Sequence, residues 1–483
     1  MAQPWDLLVV GGGTAGLVAA HAGAEIGARV ALIERERTGG DCLWTGCVPS
    51  KALLSAAGSV AAARNAAPFV GTGSVEVDFE AVMAHVQSAI ATIEPVDSPD
   101  ALRAAGVTVV TGDAEFVGPR TVTVDGARHD FHHAVVATGA APTVPAIEGM
   151  AKVRVLTSET VWALQTLPRR MLVVGGGPVG CELSQAFARL GSQVTLVESA
   201  GRLLSRDDPD AAGVIASALA DDGVDLRLGH RVTRVVPGSD YRSGVAAVSG
   251  EGGEATVAFD AVLVAVGRTP RTAGLGLDRA GVVLTPGGAV VVDRYQRTSN
   301  PRVWAAGDVT PVPHLTHLAA AHGGAAASNA LLGLRRTVAM TAVPRVTYTD
   351  PEVAAVGVPT WASGPGRRPR TVTRHHDHVD RAIADGRTEG FARLTLSARG
   401  NRVLGATIVG PRAGESIAQM TLAIRARTTT TALAATVHAY PTYADGPWNA
   451  AVDEVRRRLE QPGVQRALSA TLAARRARWR RGG

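Results

Sequence analysis

The stretch Leu7-Leu8-Val9-Val10-Gly11-Gly12-Gly13-Thr14-Ala15-Gly16 decides the fold of this 483-residue chain. An apolar run ends in G-x-G-x-x-G and opens an Ala-rich helical segment. A second apolar run, Val30 to Ile33, follows and ends at Glu34. Strand, glycine turn, helix, strand is the order of a dinucleotide-binding βαβ unit. Gly11 would make the turn, Gly13 would let the backbone approach a pyrophosphate, and Gly16 would let helix and strand pack closely. The helix start offers free N–H groups and a positive dipole end to phosphate. Glu34 would accept hydrogen bonds from ribose hydroxyls. Alone the motif is weak evidence, because glycine-rich turns are common in α/β proteins.

The pattern recurs. Met171 to Val174 lead into Gly175-Gly176-Gly177-Pro178-Val179-Gly180, and Val194 to Val197 end at Glu198. In both copies the acid lies 18 residues after the last motif glycine. The repeat, with equal acid spacing, predicts two nucleotide sites. In the second, Gly175, Gly177 and Gly180 take the three glycine roles. A carboxylate at Glu198 would repel a 2′-phosphate, so NADH is expected over NADPH. Arg202 is close enough in sequence to complicate that choice.

Between the copies lies Gly39-Gly40-Asp41-Cys42-Leu43-Trp44-Thr45-Gly46-Cys47-Val48-Pro49-Ser50-Lys51. Only one other cysteine, Cys181, exists in the chain. Two thiols beside a nucleotide site suggest electrons moving between a dithiol and a redox cofactor. In a straight helix five residues rise about 7.5 Å, whereas a disulfide needs Cα atoms about 4.4–6.8 Å apart. Bridging therefore requires a bend, which Gly46 supplies at low cost. Structural zinc usually takes four ligands at tighter spacing, and no second Cys or His pair is adjacent. Two buried cysteines that never meet remain the alternative.

Composition narrows the class. The length fits about three domains of ~100–200 residues. Hydrophobic residues make up 46% and glycine numbers 55, as a large α/β core with many tight turns requires. No apolar run reaches the ~18 residues of a membrane span. No basic n-region and apolar h-region precede the first strand, so secretion is not expected. Three cysteines fit a reducing cytosol. The net charge of +6 is concentrated in residues 454–483, with nine arginines and two glutamates. The basicity is that of a tail, which argues against a nucleic-acid enzyme. Of 49 basic residues only Lys51 and Lys152 are lysines. Chance explains that, or Lys51 is kept as a compact ammonium that can change its protonation.

With these residues in hand, the chain resembles the pyridine nucleotide-disulfide oxidoreductases, the group of dihydrolipoamide dehydrogenase, glutathione reductase and mercuric reductase. The likeness runs from about Asp6 to Asp453. Its most specific element is GGDCLWTGCVPSKAL. Further matches are HAVVATGAAP, DAVLVAVGRTP and TSNPRVWAAGD, which end at Pro142, Pro270 and Asp308. The resemblance implies an α/β fold with two Rossmann-like dinucleotide-binding domains and an α+β C-terminal dimerisation domain. FAD binding would fall in 1–150 and 268–343, NAD binding in 151–267 and dimerisation in 344–460, before a basic tail at 461–483.

Roles follow from the same resemblance. Gly11, Gly13, Gly16, Glu34, Thr138, Gly139 and Asp308 would hold FAD, with a backbone contact near His317. Gly175, Gly177, Gly180, Glu198 and Gly267 would serve the nicotinamide nucleotide. Cys47 would sit against the flavin and Cys42 would face the substrate, the two forming the redox disulfide. Lys51 would lie near the flavin N5, paired with Glu182. A cation there stabilises a reduced flavin and the Cys47 thiolate. NADH would reduce the flavin, the flavin the disulfide, and the dithiol a substrate at the interface of a homodimer.

The chain also departs from the pattern. In disulfide-reducing members a C-terminal His-Pro-Thr, lent by the other subunit, supplies an acid–base histidine. Here the stretch is His438-Ala439-Tyr440-Pro441-Thr442-Tyr443-Ala444-Asp445. Tyr440 stands in the histidine's place, and Asp445 where a glutamate usually orients it. A phenol has a pKa of about 10 and imidazole about 6.5, so tyrosine cycles protons poorly at neutral pH. Mercuric reductases share the tyrosine, but their C-terminal cysteine pair is missing. Pro178 replaces the gating tyrosine of glutathione reductases. The expected activity is a mercuric-reductase-like transfer from NADH, through FAD and Cys42–Cys47, to a disulfide or soft electrophile. Alternatives are a dihydrolipoamide dehydrogenase paralogue using His438 and a silent flavoprotein with a binding role.

Three further features are secondary. His375, His376 and His378 read as a solvated loop rather than a metal cluster. His317, in PVPHLTHLAAAHGG, reads as a helix-capping residue. The tail from Pro462 can form a helix with Leu468, Leu472 and Trp479 on one side, fraying in solvent by default.

Overall fold

The computed structural model describes residues 3–66, 69, 75–359, 369–398 and 400–481. Strand β1 (Trp5–Val10) pairs in parallel with β2 (Val30–Glu34) on one side and with Ala127–Val136 on the other. Strand Val107–Thr111 extends the sheet beyond β2, and Val303–Ala305 adds in parallel to Ala127–Val136. The antiparallel strands Thr121–Val124 and Ala114–Gly118 complete seven. Both faces are buried, as parallel strands require. Leu7 and Val9 enter one apolar cluster, and Leu8 and Val10 enter another.

Helix α1 (Thr14–Glu25) leaves the first glycine turn, followed after β2 by α2 (Gly40–Trp44) and α3 (Cys47–Asn65). The second copy repeats the design. Strand β3 (Arg170–Val174) turns into α4 (Pro178–Leu190), which returns through β4 (Gln193–Glu198). These strands lie in a five-stranded parallel sheet ordered Asp225–Leu228, β4, β3, Ala261–Val264, Val155–Leu156. Two parallel βαβ layers, expected from the two glycine motifs, are thus present.

Helix α5 (Thr316–Leu332) is seated against α1. A Cβ added at Gly323 would lie 2.2 Å from the Ala15 carbonyl oxygen. Only glycine permits that backbone approach, and it places the first residue of α5, Thr316, over the redox segment.

By contacts the chain divides into Met1–Leu203 with Leu219–Val338, and Leu204–Ala218 with Ala339–Gly483. The second unit carries an antiparallel sheet ordered Arg345–Thr347, Glu352–Gly357, Val403–Gly410, Phe391–Leu396, Arg370–His375. Helices Ala413–Arg425 and Asp445–Leu459 accompany it. Within this unit the fully buried Asp208 is paired with Arg393 at 2.8 Å.

The histidine stretch is not a solvated loop. His375 ends a strand, and His376 is wholly buried at the start of a short 3-10 turn. The imidazole fits because Gly410 has no side chain: a Cβ there would lie 2.3 Å from His376 Cε1. Among the described residues no three His, Cys, Asp or Glu side chains gather to hold a metal. The tail does form a helix, Pro462–Trp479, with no buried residue. Among the described residues no helix is long and apolar enough to cross a membrane.

Candidate active site

The two glycine turns are built alike. Gly11 and Gly175 adopt φ of +106° and +110°, a region that favours glycine. A Cβ at either would lie 2.5 Å from the carbonyl just past a neighbouring strand, of Ala137 or Ala265. At Gly16 and Gly180 a Cβ would come within 1.9 and 1.8 Å of the Gly11 and Gly175 oxygens. Gly13 and Gly177 stand at the N-caps of α1 and α4 without side-chain caps, so the helix-end N–H groups remain for a ligand. Glu34 accepts a hydrogen bond from Gly12 N at 2.6 Å, and Glu198 accepts one from Gly176 N at 2.6 Å. Each carboxylate braces its turn and keeps lone pairs for a ribose.

A cleft of about 750 Å³ opens along the first turn, lined by residues that include Gly11, Gly13, Glu34, Thr138, Gly139 and Asp308. Its size lies in the usual ~300–1,000 Å³ range of ligand sites. The open cradle, the bracing acid and the adjacent Arg268 Nε, buried without a hydrogen-bond partner, fit a bound FAD. Thr138 Oγ1 donates to Arg271 O at 2.7 Å, and Gly139 O accepts from Arg271 N at 2.9 Å. These bonds tie one wall together. Burial pushes the Asp308 carboxyl above the usual range. Gly267, at φ +136°, accepts from Thr143 N at 2.9 Å and shapes the turn into Arg268–Pro270.

Sequence reasoning passed over an ionic lattice on the same cleft. Asp41 is bound by Arg268 and lies 3.5 Å from Arg271, whose other nitrogen reaches Glu159 at 2.6 Å. Asp41 belongs to α2, so the lattice anchors the helix that carries Cys42. His317 does not cap its helix: Leu315 occupies the N-cap without a side-chain bond. The cleft wall there is His314 and Thr316.

Cys42 lies in α2 and Cys47 opens α3, with Gly46 at the bend between them. A Cβ at Gly46 would lie 2.7 Å from Asp41 O, so the bend closes too tightly for any side chain. Trp162 Nε1 donates to Thr45 O at 3.0 Å and pins it from outside. Both cysteines are free thiols. Cys47 Sγ lies 3.2 Å from Thr316 Oγ1. The Cys47 thiol is pulled down to about 6, chiefly by the Cys42 thiol's hydrogen bond. Desolvation opposes this, while Thr316 and the Lys51 charge assist. Cys42 is correspondingly pushed well up by its bond to Cys47 and by burial. One thiolate and one thiol therefore share the site, with the charge on Cys47. Lys51 Nζ donates to Glu182 Oε2 at 2.9 Å, from α3 to α4. Glu182 is nearly buried, so it is no ordinary surface acid.

In the second unit Tyr440 is exposed, and its hydroxyl donates to Asp380 Oδ2 at 2.5 Å. Asp445 does not orient it. That carboxylate is buried and accepts from Thr442 N at 2.9 Å, holding the turn that enters helix Asp445–Leu459. The orienting role expected of Asp445 passes to Asp380, which lies 60 residues before Tyr440 and carried no sequence signal. His438 has both ring nitrogens engaged, Nδ1 with Thr436 O at 2.8 Å and Nε2 with Gln419.

The Pyridine nucleotide-disulphide oxidoreductase profile matches residues 5–323, and that family's dimerisation domain matches 343–451. A mercuric reductase of Streptomyces lividans is 38% identical over 91% of this chain and 94% of its own length. A dihydrolipoyl dehydrogenase of Chlamydia muridarum is 33% identical, covering 92% and 96%. Among solved structures, the HOCl-induced flavoprotein disulfide reductase RclA from Escherichia coli, in a Cu(II) complex, superposes with a TM-score of 0.82 at 27% identity over 93% of this chain and 99% of that one. LpdA from Mycobacterium tuberculosis gives 0.83 at 30%, over 92% and 99%. The chain belongs to the pyridine nucleotide-disulphide oxidoreductase family. It is an enzyme of the flavoprotein class that uses FAD and a pyridine nucleotide.

Proposed function

We propose that this chain is a cytosolic, homodimeric, NADH-dependent reductase whose Cys42–Cys47 dithiol reduces a small soft electrophile in preference to a bulky disulfide. One observation carries the reading: Tyr440 replaces the proton-cycling histidine, and its hydroxyl hydrogen is already engaged in a hydrogen bond to Asp380. A disulfide substrate needs a proton for its leaving thiolate; a thiophilic cation needs none. The mercuric reductase relatives and the Cu(II)-bound RclA structure support the substrate class.

FAD, held by the Gly11–Gly16 turn, Glu34 and Asp308, would supply the two-electron relay between nicotinamide and dithiol. The protein's own groups tune that relay. Glu198, fixed by Gly176 N and Ala200 N, sets a negative charge where NADPH would carry its 2′-phosphate. Lys51, held by Glu182, keeps positive charge beside Cys47. Thr316 stabilises the Cys47 thiolate, and Cys42 keeps the proton until it engages the substrate. Tyr440 of a second copy would stand over Cys42.

The test is an acceptor screen. Purified holoenzyme is given NADH with Cu(II), Hg(II), lipoamide, oxidised glutathione or a quinone. The soft cations should exceed both disulfides in kcat/KM by at least about tenfold, equivalent to ~1.4 kcal/mol of transition-state stabilisation. Turnover confined to lipoamide would overturn the reading and favour His438 as base, a role its two engaged nitrogens oppose. Absence of any thiolate–flavin absorbance on NADH titration would leave a silent binding protein.

A further inference from the structure

We propose that Asp380 decides which acceptors the dithiol reduces, by accepting the Tyr440 hydroxyl hydrogen bond and so turning the phenol oxygen's lone pairs toward cationic substrates. The inference rests on the reading above, that Tyr440 of a second copy serves the Cys42 site. It adds the residue that gives this tyrosine its polarity.

The geometry is specific. Tyr440 Oη and Asp380 Oδ2 are 2.5 Å apart, in the range of charge-assisted O–H···O⁻ bonds, about 2.5–2.7 Å. A phenol has one proton and two lone pairs. With the proton directed at Asp380, only lone pairs face outward. The ring is largely exposed, so those lone pairs are available to whatever docks on this loop. The same bond pushes the phenol's pKa up, so Tyr440 keeps its proton at neutral pH and does not release it. The group is therefore an acceptor, with the nearby Asp380 carboxylate reinforcing its negative end.

A second pair holds the loop in place. Tyr443 Oη donates to Asp385 Oδ2 at 3.0 Å, and Arg381 Nε holds the same carboxylate at 2.8 Å. Asp380 and Asp385 bracket one short helix, Asp380–Ala384. Two tyrosines of the 440–443 loop are thus tied to its two ends. Asp445, the remaining acid near Tyr440, is committed to Thr442 N.

The chemistry separates two acceptor classes. With Cys47 as thiolate and Cys42 as thiol, a divalent cation M²⁺ takes two electrons to M⁰, or two Cu(II) ions take one each to give two Cu(I). The Cys42–Cys47 bond forms and the single Cys42 proton leaves to water. A disulfide R–S–S–R takes the same two electrons, but its S–S bond breaks and two protons are needed. Cys42 supplies one, and the second must come from an acid that Tyr440, bonded to Asp380, does not provide. An outward lone pair also favours a positive acceptor over an anionic one.

The experiment uses the FAD-loaded dimer with saturating NADH and three acceptors: Cu(II), oxidised glutathione as an anionic alkyl disulfide whose leaving thiolates take up protons, and ferricyanide as a control that draws electrons without the dithiol. Asp380→Ala should raise KM for Cu(II) about tenfold with kcat changed less than about threefold, a loss of ~1.4 kcal/mol in binding. Disulfide turnover should hold or rise, and ferricyanide turnover should stay unchanged. Tyr440→Phe should reproduce the Cu(II) effect, the double variant should be no worse than either, and Asp380→Glu should restore part of it. Equal loss toward Cu(II) and disulfide, or additive effects of the two substitutions, would overturn the role of Asp380. Cu(II) turnover that survives Cys42→Ser would instead remove the dithiol reading itself, and the inference with it. Lost ferricyanide turnover in Asp380→Ala would mark a merely structural residue and also overturn it.

Discussion

Cys47 is the residue on which the chemistry turns, and its charge has three separable sources. The Cys42 hydrogen bond is the largest, followed among the favourable ones by Thr316 and then Lys51. A thiol lowered to about 6 is thiolate above that pH and is lost as pH falls through it. The long-wavelength thiolate–flavin absorbance of the NADH-reduced enzyme should therefore persist from neutral pH down to about pH 6 and fade below. Thr316→Val removes one hydrogen bond to a charged group, so the midpoint should rise by about one unit, or ~1.4 kcal/mol. Spectra recorded between pH 5 and 8 decide this, and an unmoved midpoint would show that Thr316 merely lies nearby. The sequence made Cys42, Cys47 and Lys51 legible because they share thirteen consecutive positions. Thr316 was hidden because it reaches Cys47 across 269 residues, through a helix contact that depends on Gly323. Asp380 was hidden for the same reason, as a partner brought to Tyr440 only by folding. His376 misled in the opposite direction. Three histidines in four positions look polar, yet glycines distant in sequence open a core site for one of them.

At the scale of elements, the break between α2 and α3 matters more than either helix. Five residues in a continuous helix would carry Cys42 and Cys47 apart; Gly46 folds the chain back instead. Its backbone approaches Asp41 O so closely that a methyl group has no room. Gly46→Ala should destabilise by roughly 1–3 kcal/mol, the usual cost of overpacking. It should also separate the two sulfurs, because α2 is short and moves as a unit. The expected readouts are a lower Tm and loss of the oxidised Cys42–Cys47 bond, counted as three free thiols in the unreduced, denatured protein where the bridged chain shows only that of Cys181. Gly58→Ala is the control. It lies in α3 with nothing within 4 Å of the new Cβ, and should stabilise by roughly 0.5–1 kcal/mol through helix propensity. An intact disulfide in Gly46→Ala would show that the bend tolerates a side chain. The bend itself was readable from spacing and one glycine. Its outside brace, Trp162 on Thr45 O, was not, because an indole that donates to a loop carbonyl leaves no local pattern.

The whole molecule divides its work between segments that the family shares and one that it does not. The two matched regions end at residue 451, and they hold every residue given a chemical role above. Helix Pro462–Trp479 lies beyond them and buries nothing. Leu468, Leu472 and Trp479 remain exposed, so the helix gains no stability from a packed apolar face. Without tertiary packing it has only its own backbone bonds and helix propensity to hold it, and most helical stability in proteins comes from a packed amphipathic face. Its arginines also repel one another at low salt. The tail should therefore contribute little to folding. Truncation after Gln461 should leave Tm within about 1 °C, which for a chain this long corresponds to well under ~1 kcal/mol. FAD content and NADH–ferricyanide turnover should be unchanged, while retention on a cation exchanger should fall sharply with the lost arginines. A Tm drop of several degrees would mean that the tail packs on the protein as a second copy assembles, because nothing within the described chain buries it. Repeating the melt at tenfold higher concentration would then separate assembly from folding, since only a dimer-linked contribution grows with protein concentration.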